Sequence, residues 1–250
     1  MEWRDRGLIL SARKHGETSL ILEAMTEAHG RHLGVVRGGR SRALRATVQP
    51  GDRVGLVWRA RLEDHLGMYV VEADAQRAGR LIGSPMALHG LQWMGALLRL
   101  LPEREPHGAL FAMADALADR LDDPRLAPEL FVRFELAALA ELGFGLAIDA
   151  CALTGAHDDL AYVSPKTGRA VARAPAEPWR DRLLALPAFI HAAVGAGAVD
   201  AQDLRAGFAL TGHFLERDVF APRGLVAPDC RAAFIAAALA LLAPPPHSDR

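Results

Sequence analysis

The sequence predicts an α+β protein, a small amino-terminal β-barrel followed by a larger helical domain. Residues 1–75 break into five short apolar runs separated by glycine and proline turns, each run too short for a helix. From Ala75 onward apolar residues recur every three or four positions, the period of a helix with one buried face. Charge divides along the same line. Residues 1–80 hold 14 Lys and Arg against 10 Asp and Glu, while residues 81–250 hold 15 against 20, in a chain whose net charge is -1.

The first strand is predicted over Gly7 to Arg13, ending at Lys14-His15-Gly16-Glu17, and the second over Ser19 to Met25. A turn over Glu27-Ala28-His29-Gly30 follows, where Gly30 can take the positive φ that such turns require. Arg31 to Arg37 alternates as a third strand and runs into a loop, Gly38-Gly39-Arg40-Ser41-Arg42. Pro50-Gly51-Asp52 opens a fourth strand, Arg53 to Arg59. The fifth spans His65 to Ala73, with Leu66, Met68 and Val70 alternating against Gly67, Tyr69 and Val71. Five strands in so short a length suit an OB-type barrel, which leaves no open sheet edge.

Helices are predicted over Pro85 to Leu101, His107 to Leu121 and Pro128 to Leu142, with breaks at Pro102, Pro106 and Pro124. Residues 149–180 read as irregular, being rich in Gly, Pro and Asp. Further helices are expected near 181–195, 200–215 and 229–242, ahead of a disordered tail at 244–250. The predicted domains are therefore 1–76 and 77–243, the second carrying an insertion at 149–180.

Between His29 and Leu62 stand eight arginines (Arg31, Arg37, Arg40, Arg42, Arg45, Arg53, Arg59, Arg61) and one acid, Asp52. A local excess of that size in a balanced chain is a directed field, and it suits a polyanion. Only Lys14 and Lys166 are lysines among 29 basic residues, so the position of an arginine is informative and its identity is not. Arg37, Arg40, Arg42 and Arg45 are the expected phosphate contacts, flanked by Arg13, Lys14, Arg59 and Arg61. Arg53, beside Asp52 at a turn, is the first to set aside. Trp58 and Tyr69 are either base-stacking platforms or core residues.

Enzyme classes find little support. The chain has no GxxxxGK[ST], HExxH or GxSxG sequence. Ser11-Ala12-Arg13-Lys14 and Lys166-Thr167-Gly168 fit two β-lactamase signatures, but the first ends a predicted strand, where positions three apart face opposite ways. His191 and His213 have no paired nucleophile. Cys151 with His157, Asp158 and Asp159 lacks the four N or S ligands of a structural zinc site. No catalytic residue and no cofactor is expected. Two cysteines, Cys151 and Cys230, make no disulfide framework and suggest a reducing compartment. No run is long and apolar enough to span a bilayer, so the expectation is a cytoplasmic protein with no membrane partner.

Several segments in order resemble the RecO recombination-mediator family of bacterial DNA repair. These are Gly7-Leu8-Ile9-Leu10 with His15-Gly16-Glu17, Thr26 through Gly30, and Gly38-Gly39-Arg40-Ser41. Phe134-Glu135-Leu136, Leu142-Gly143-Phe144-Gly145, Cys151-Ala152-Leu153-Thr154-Gly155 and Ser164-Pro165-Lys166-Thr167-Gly168-Arg169 complete the set. The resemblance implies an OB-fold, then a helical domain with a zinc-ribbon-like insertion. It also implies binding of single- and double-stranded DNA, annealing of complementary strands and association with the nucleoid. The implied partners are the tail of single-stranded-DNA-binding protein and RecR, with RecA loaded indirectly. The family's insertion often has CxxC…CxxC. Here only Cys151 matches, Thr154 replaces its partner, and Ala172 and Pro175 stand near the second pair. The insertion is thus expected to be a degenerate ribbon held by packing without metal. Arg125 and Arg133, flanking apolar helix faces, are the expected contacts for an acidic, apolar-ended peptide. The alternative to DNA binding is a scaffold whose barrel takes an acidic protein partner.

Overall fold

The computed structural model describes residues 1–242, so the tail expected at 244–250 lies outside the described residues. The chain divides into two compact units, Met1–Asp122 and a second beginning at Asp123.

The first unit is built on five strands: β1 (Glu2–His15), β2 (Ser19–Thr26), β3 (Gly30–Val36), β4 (Arg53–Arg59) and β5 (Met68–Ala75). They pair in the order β1-β2-β3-β5-β4, and β4 returns to β1, closing a barrel. All pairings are antiparallel except β3 with β5. Alternate residues fill the interior: Leu22, Ala24, Val54, Leu56, Trp58 and Tyr69 are buried there. Two glycines mark where the wall cannot carry a side chain. A Cβ on Gly34 would lie 2.4 Å from the Tyr69 ring, and one on Gly67, at φ +64°, would lie 2.3 Å from the Trp58 indole. The fifth strand starts at Met68, not His65, because residues 61–65 bend and turn and Gly67 takes a left-handed φ.

The segment expected as plain loop after β3 includes a single helical turn, α1 (Arg42–Arg45), whose N-cap Ser41 accepts from the Leu44 N–H. Beyond the barrel come α2 (Ala78–Leu81), α3 (Pro85–Leu98) and α4 (Gly108–Ala118). Ser84 caps α3 by accepting from the Ala87 N–H at 3.2 Å, with Pro85 at the first helical position. The texture changes at residue 76, but the compact unit continues to Asp122 because α4 packs on β1 and β2.

The second unit contains α5 (Ala127–Glu141), α6 (Arg173–Ala176), α7 (Ala201–Phe214) and α8 (Cys230–Leu242). Phe131, Phe134, Phe214 and Phe234 are fully buried, and the Phe131 and Phe234 rings lie 4.6 Å apart. Two expectations need correction here. Residues 149–180 are not irregular throughout, and the domain is not all-helical. β6 (Leu160–Val163), β7 (Ala170–Ala172) and β8 (Leu184–Ala185) form a three-stranded antiparallel sheet over Cys151, Val171 and Ala176. Strands this short leave no readable alternation. Nor is 181–195 a helix. Pro178 and Pro187 remove backbone donors, and the segment folds as 3-10 turns at Glu177–Arg182 and Ala188–Ile190 on either side of β8.

Candidate nucleic-acid interface

The end of β1, the start of β2 and the residues after β3 converge on one groove of about 360 Å³. Lys14, Arg40 and Arg45 line it over a floor of Ala12, Leu20, Gly39 and Val48, with Gln49 beside them, and no carboxylate takes part. Local chemistry fixes this shape. Gly38 turns the chain at φ +64°, and a Cβ on Gly39 would press on Leu20 at 3.1 Å. The Arg40 N–H donates to the Thr18 carbonyl at 3.1 Å, and its guanidinium donates to the Glu17 carbonyl, lacing the loop to the β1–β2 turn. The Gln49 amide donates to the Arg45 carbonyl at 2.6 Å and holds the exit of α1. Three cations on a preformed floor without an acid give this groove a positive field.

A second groove of about 340 Å³ shares the same segment through Arg37 and Leu44. Its other walls are Arg59, Met68, Val70 and the edge of the Tyr69 ring. Met68 is 39 % exposed and Val70 52 % exposed, so this groove is apolar between two guanidiniums. Arg59 donates to Glu2 at 2.9 and 3.2 Å, which holds Glu2 below the ordinary carboxylate range. That pair is solvent-exposed, so it contributes little to stability.

The remaining expected contacts are dispersed. Arg13 precedes Lys14 on β1, and strand alternation turns it to the other face. Arg42 and Arg61 are exposed, have no carboxylate partner among the described residues, and line neither groove. Two arginines of the stripe are structural. Arg31 donates to Glu23 at 3.1 Å and Glu103 at 3.2 Å. Arg53 reaches past its neighbour Asp52 to Asp74 at 2.7 Å and Asp115 at 2.5 Å. Asp52 is itself buried and caps α2, accepting from the Arg77 and Ala78 N–H groups at 2.6 and 2.8 Å.

Trp58 and Tyr69 are core residues, at 1 % and 4 % exposure, and offer no face to a base. Trp58 donates to the Leu66 carbonyl at 3.1 Å. The Tyr69 hydroxyl meets His32 Nδ1 at 3.2 Å, burial raises its phenol above the ordinary value, and burial lowers His32 to about 4.

In the second unit Arg125 is exposed at the entry to α5, its N–H donating to Asp123 at 2.9 Å. Arg133 is engaged within the unit. Its guanidinium bonds Glu129 at 2.9 Å, the Ile190 and Ala192 carbonyls at 3.2 and 2.8 Å, and the Phe189 carbonyl, fastening the 188–192 turn to α5. Cys151 is buried, its sulfur accepting from the Ala172 N–H at 3.3 Å. Burial pushes this thiol up, but backbone N–H groups of Ala172, Leu153 and Thr154, with the Thr154 hydroxyl, outweigh that and bring it to about 7. Among the described residues no three His, Cys, Asp or Glu side chains gather as a metal site. No helix there is long and apolar enough to cross a membrane.

Position in sequence located the basic segment but missed the second groove's apolar wall. Its signal was present: Met68 and Val70 alternate with the inward Tyr69 on β5.

Two family models and many relatives match this chain. Residues 1–73 match the family described as Recombination protein O N terminal, and residues 85–224 match Recombination protein O C terminal. The chain is 58 % identical to the DNA repair protein RecO of Methylobacterium nodulans, over 94 % of this chain and 97 % of that one. It is 56 % identical to the same-named protein of Mesorhizobium japonicum, over 95 % and 93 %.

Proposed function

The chain belongs to the RecO family of DNA repair proteins, and from that premise we propose that it binds single- and double-stranded DNA on its barrel and anneals complementary strands. The observation that carries this reading is the meeting of Lys14, Arg40 and Arg45 in one groove without a carboxylate. Arg37 and Arg59 extend the basic surface beside it. The five-stranded Greek-key arrangement supports an OB-type barrel, a fold that takes oligonucleotides on its strands and loops. Holding phosphates and leaving bases unpaired keeps a strand presentable to its complement. Neutralising both strands lowers the repulsion between them. On this reading the protein is a non-catalytic recombination mediator that helps load RecA, works with RecR and the tail of single-stranded-DNA-binding protein, and acts in the cytoplasm. The sheet around Cys151 supports a zinc-ribbon relic held by packing.

A barrel that binds an acidic protein is the second reading, favoured by the exposed Met68 and Val70 between Arg37 and Arg59. Anisotropy of a labelled single strand separates the two. Five groove cations on phosphates give a log-affinity against log-salt slope of about -3.5, so affinity falls about 100-fold between roughly 50 and 200 mM salt. Weak, salt-insensitive DNA binding favours the protein partner. Mixing complementary strands with the protein then tests annealing directly.

A further inference from the structure

A cavity of about 550 Å³ in the second unit lies on the small sheet. Its volume falls within the roughly 300–1,000 Å³ usual for ligand clefts. Leu153, Val171 and Leu183 form apolar walls, and Trp179 stands at its side with half of its surface exposed. The chain's other tryptophans, Trp3, Trp58 and Trp93, are partly or fully buried, so Trp179 alone offers a broad open indole.

Lys166, Arg169 and Arg182 rim the cavity, and no acid lines it. All three are exposed and have no carboxylate partner among the described residues. The turn bearing Lys166 is preformed. Gly168 takes φ +67°, its N–H donates to the Ser164 carbonyl at 2.9 Å, and the Ser164 N–H donates to the Arg169 carbonyl at 3.0 Å. From beneath, the Arg217 guanidinium donates to the Lys166 carbonyl at 3.3 Å, and His213 Nε2 lies 3.1 Å from the Pro165 carbonyl.

We propose that this cavity is a second single-strand DNA site, with one base stacked on Trp179 and the flanking phosphates on Lys166, Arg169 and Arg182. The inference rests on the DNA-binding reading above and supplies what the barrel lacks. The barrel grooves offer cations, but Trp58 and Tyr69 are buried in the barrel core, whereas an exposed indole beside unpaired cations is the pairing that single-strand binders use. A duplex keeps its bases stacked on one another, so it leaves Trp179 uncovered. Each unit then carries its own place for a strand.

The test uses the full chain and its tryptophan emission, titrated with unlabelled oligo(dT) and with a duplex of equal length. Oligo(dT) is expected to quench emission and the duplex is not, and Trp179→Phe is expected to abolish that quenching. In a Lys14→Gln/Arg45→Gln background, where the barrel contributes less, Trp179→Ala is expected to weaken oligo(dT) binding about 5- to 150-fold, the worth of one aromatic–base stack. Lys166→Glu/Arg182→Glu, which leaves the indole in place, is expected to weaken it as well. The proposal is overturned if oligo(dT) binds by anisotropy while Trp179 emission stays unchanged. It is equally overturned if an acidic peptide ending in Phe quenches Trp179 and oligo(dT) does not. Loss of all DNA binding by anisotropy in the wild-type chain would instead sink the DNA-binding reading itself.

Discussion

Lys14 and Arg45 line the same groove, although one sits at the end of β1 and the other on the single turn of α1. The join is the loop between them, tied down where the Arg40 N–H meets the Thr18 carbonyl. Arg40 and Arg42 are therefore unequal despite standing two residues apart. Arg40→Glu puts a carboxylate into the groove and is expected to weaken single-strand binding for all base sequences. Arg42→Glu, outside both grooves, is expected to have the smaller effect. Side-by-side anisotropy of the two variants checks the order.

Arg53→Met is expected to act on stability and leave binding alone. It strips Asp74 and Asp115 of their bonds at 2.7 and 2.5 Å. Losing such charged hydrogen bonds costs about 2 kcal/mol. A lower denaturation midpoint with unchanged DNA affinity of the folded protein is the expected result.

The positions that sequence made legible and those it did not differ for a physical reason. Strand alternation and turn glycines placed all five strands of the barrel, because one face of each is buried. Charge counting found the basic segment, but not that Arg31 and Arg53 answer acids far away in sequence, Glu103 and Asp115. Arg133 pairs locally with Glu129 at i,i+4, but its bonds to carbonyls of residues 189–192 follow no local pattern. The small sheet was missed because strands of two to four residues have no period to detect. Trp179 and Arg182 share one 3-10 turn, while Lys166 and Arg169 come from another segment, and only the fold gathers the two.

In the second unit Glu135 is fully buried and accepts from Arg231 on α8 in two bonds of 2.9 Å. Arg231→Met removes both of those bonds from a buried carboxylate and is expected to cost about 3 kcal/mol. Glu135→Leu in the same chain is expected to recover part of it, since the buried charge is then gone. Chemical denaturation of the single and double variants reads both effects.

His32 gives the barrel an acid limit. Burial holds its folded value at about 4 against an ordinary 6.5. Below about 6.5 the unfolded chain takes up a proton that the folded barrel refuses, so this contribution is whole above that pH and shrinks as pH falls toward 4. His32→Gln is expected to flatten the loss of thermal stability across that window. Parallel curves for both proteins would remove His32 as the cause.

The central claim is that cations gathered in the barrel groove hold the phosphates of a single strand. Its most direct measurement is the salt dependence of oligo(dT) affinity for the wild type and for Lys14→Gln/Arg45→Gln. Each lost single-strand phosphate contact removes about 0.7 from the log–log slope, so the double variant should be flatter by about 1.4. A double variant whose slope matches the wild type would contradict the assignment.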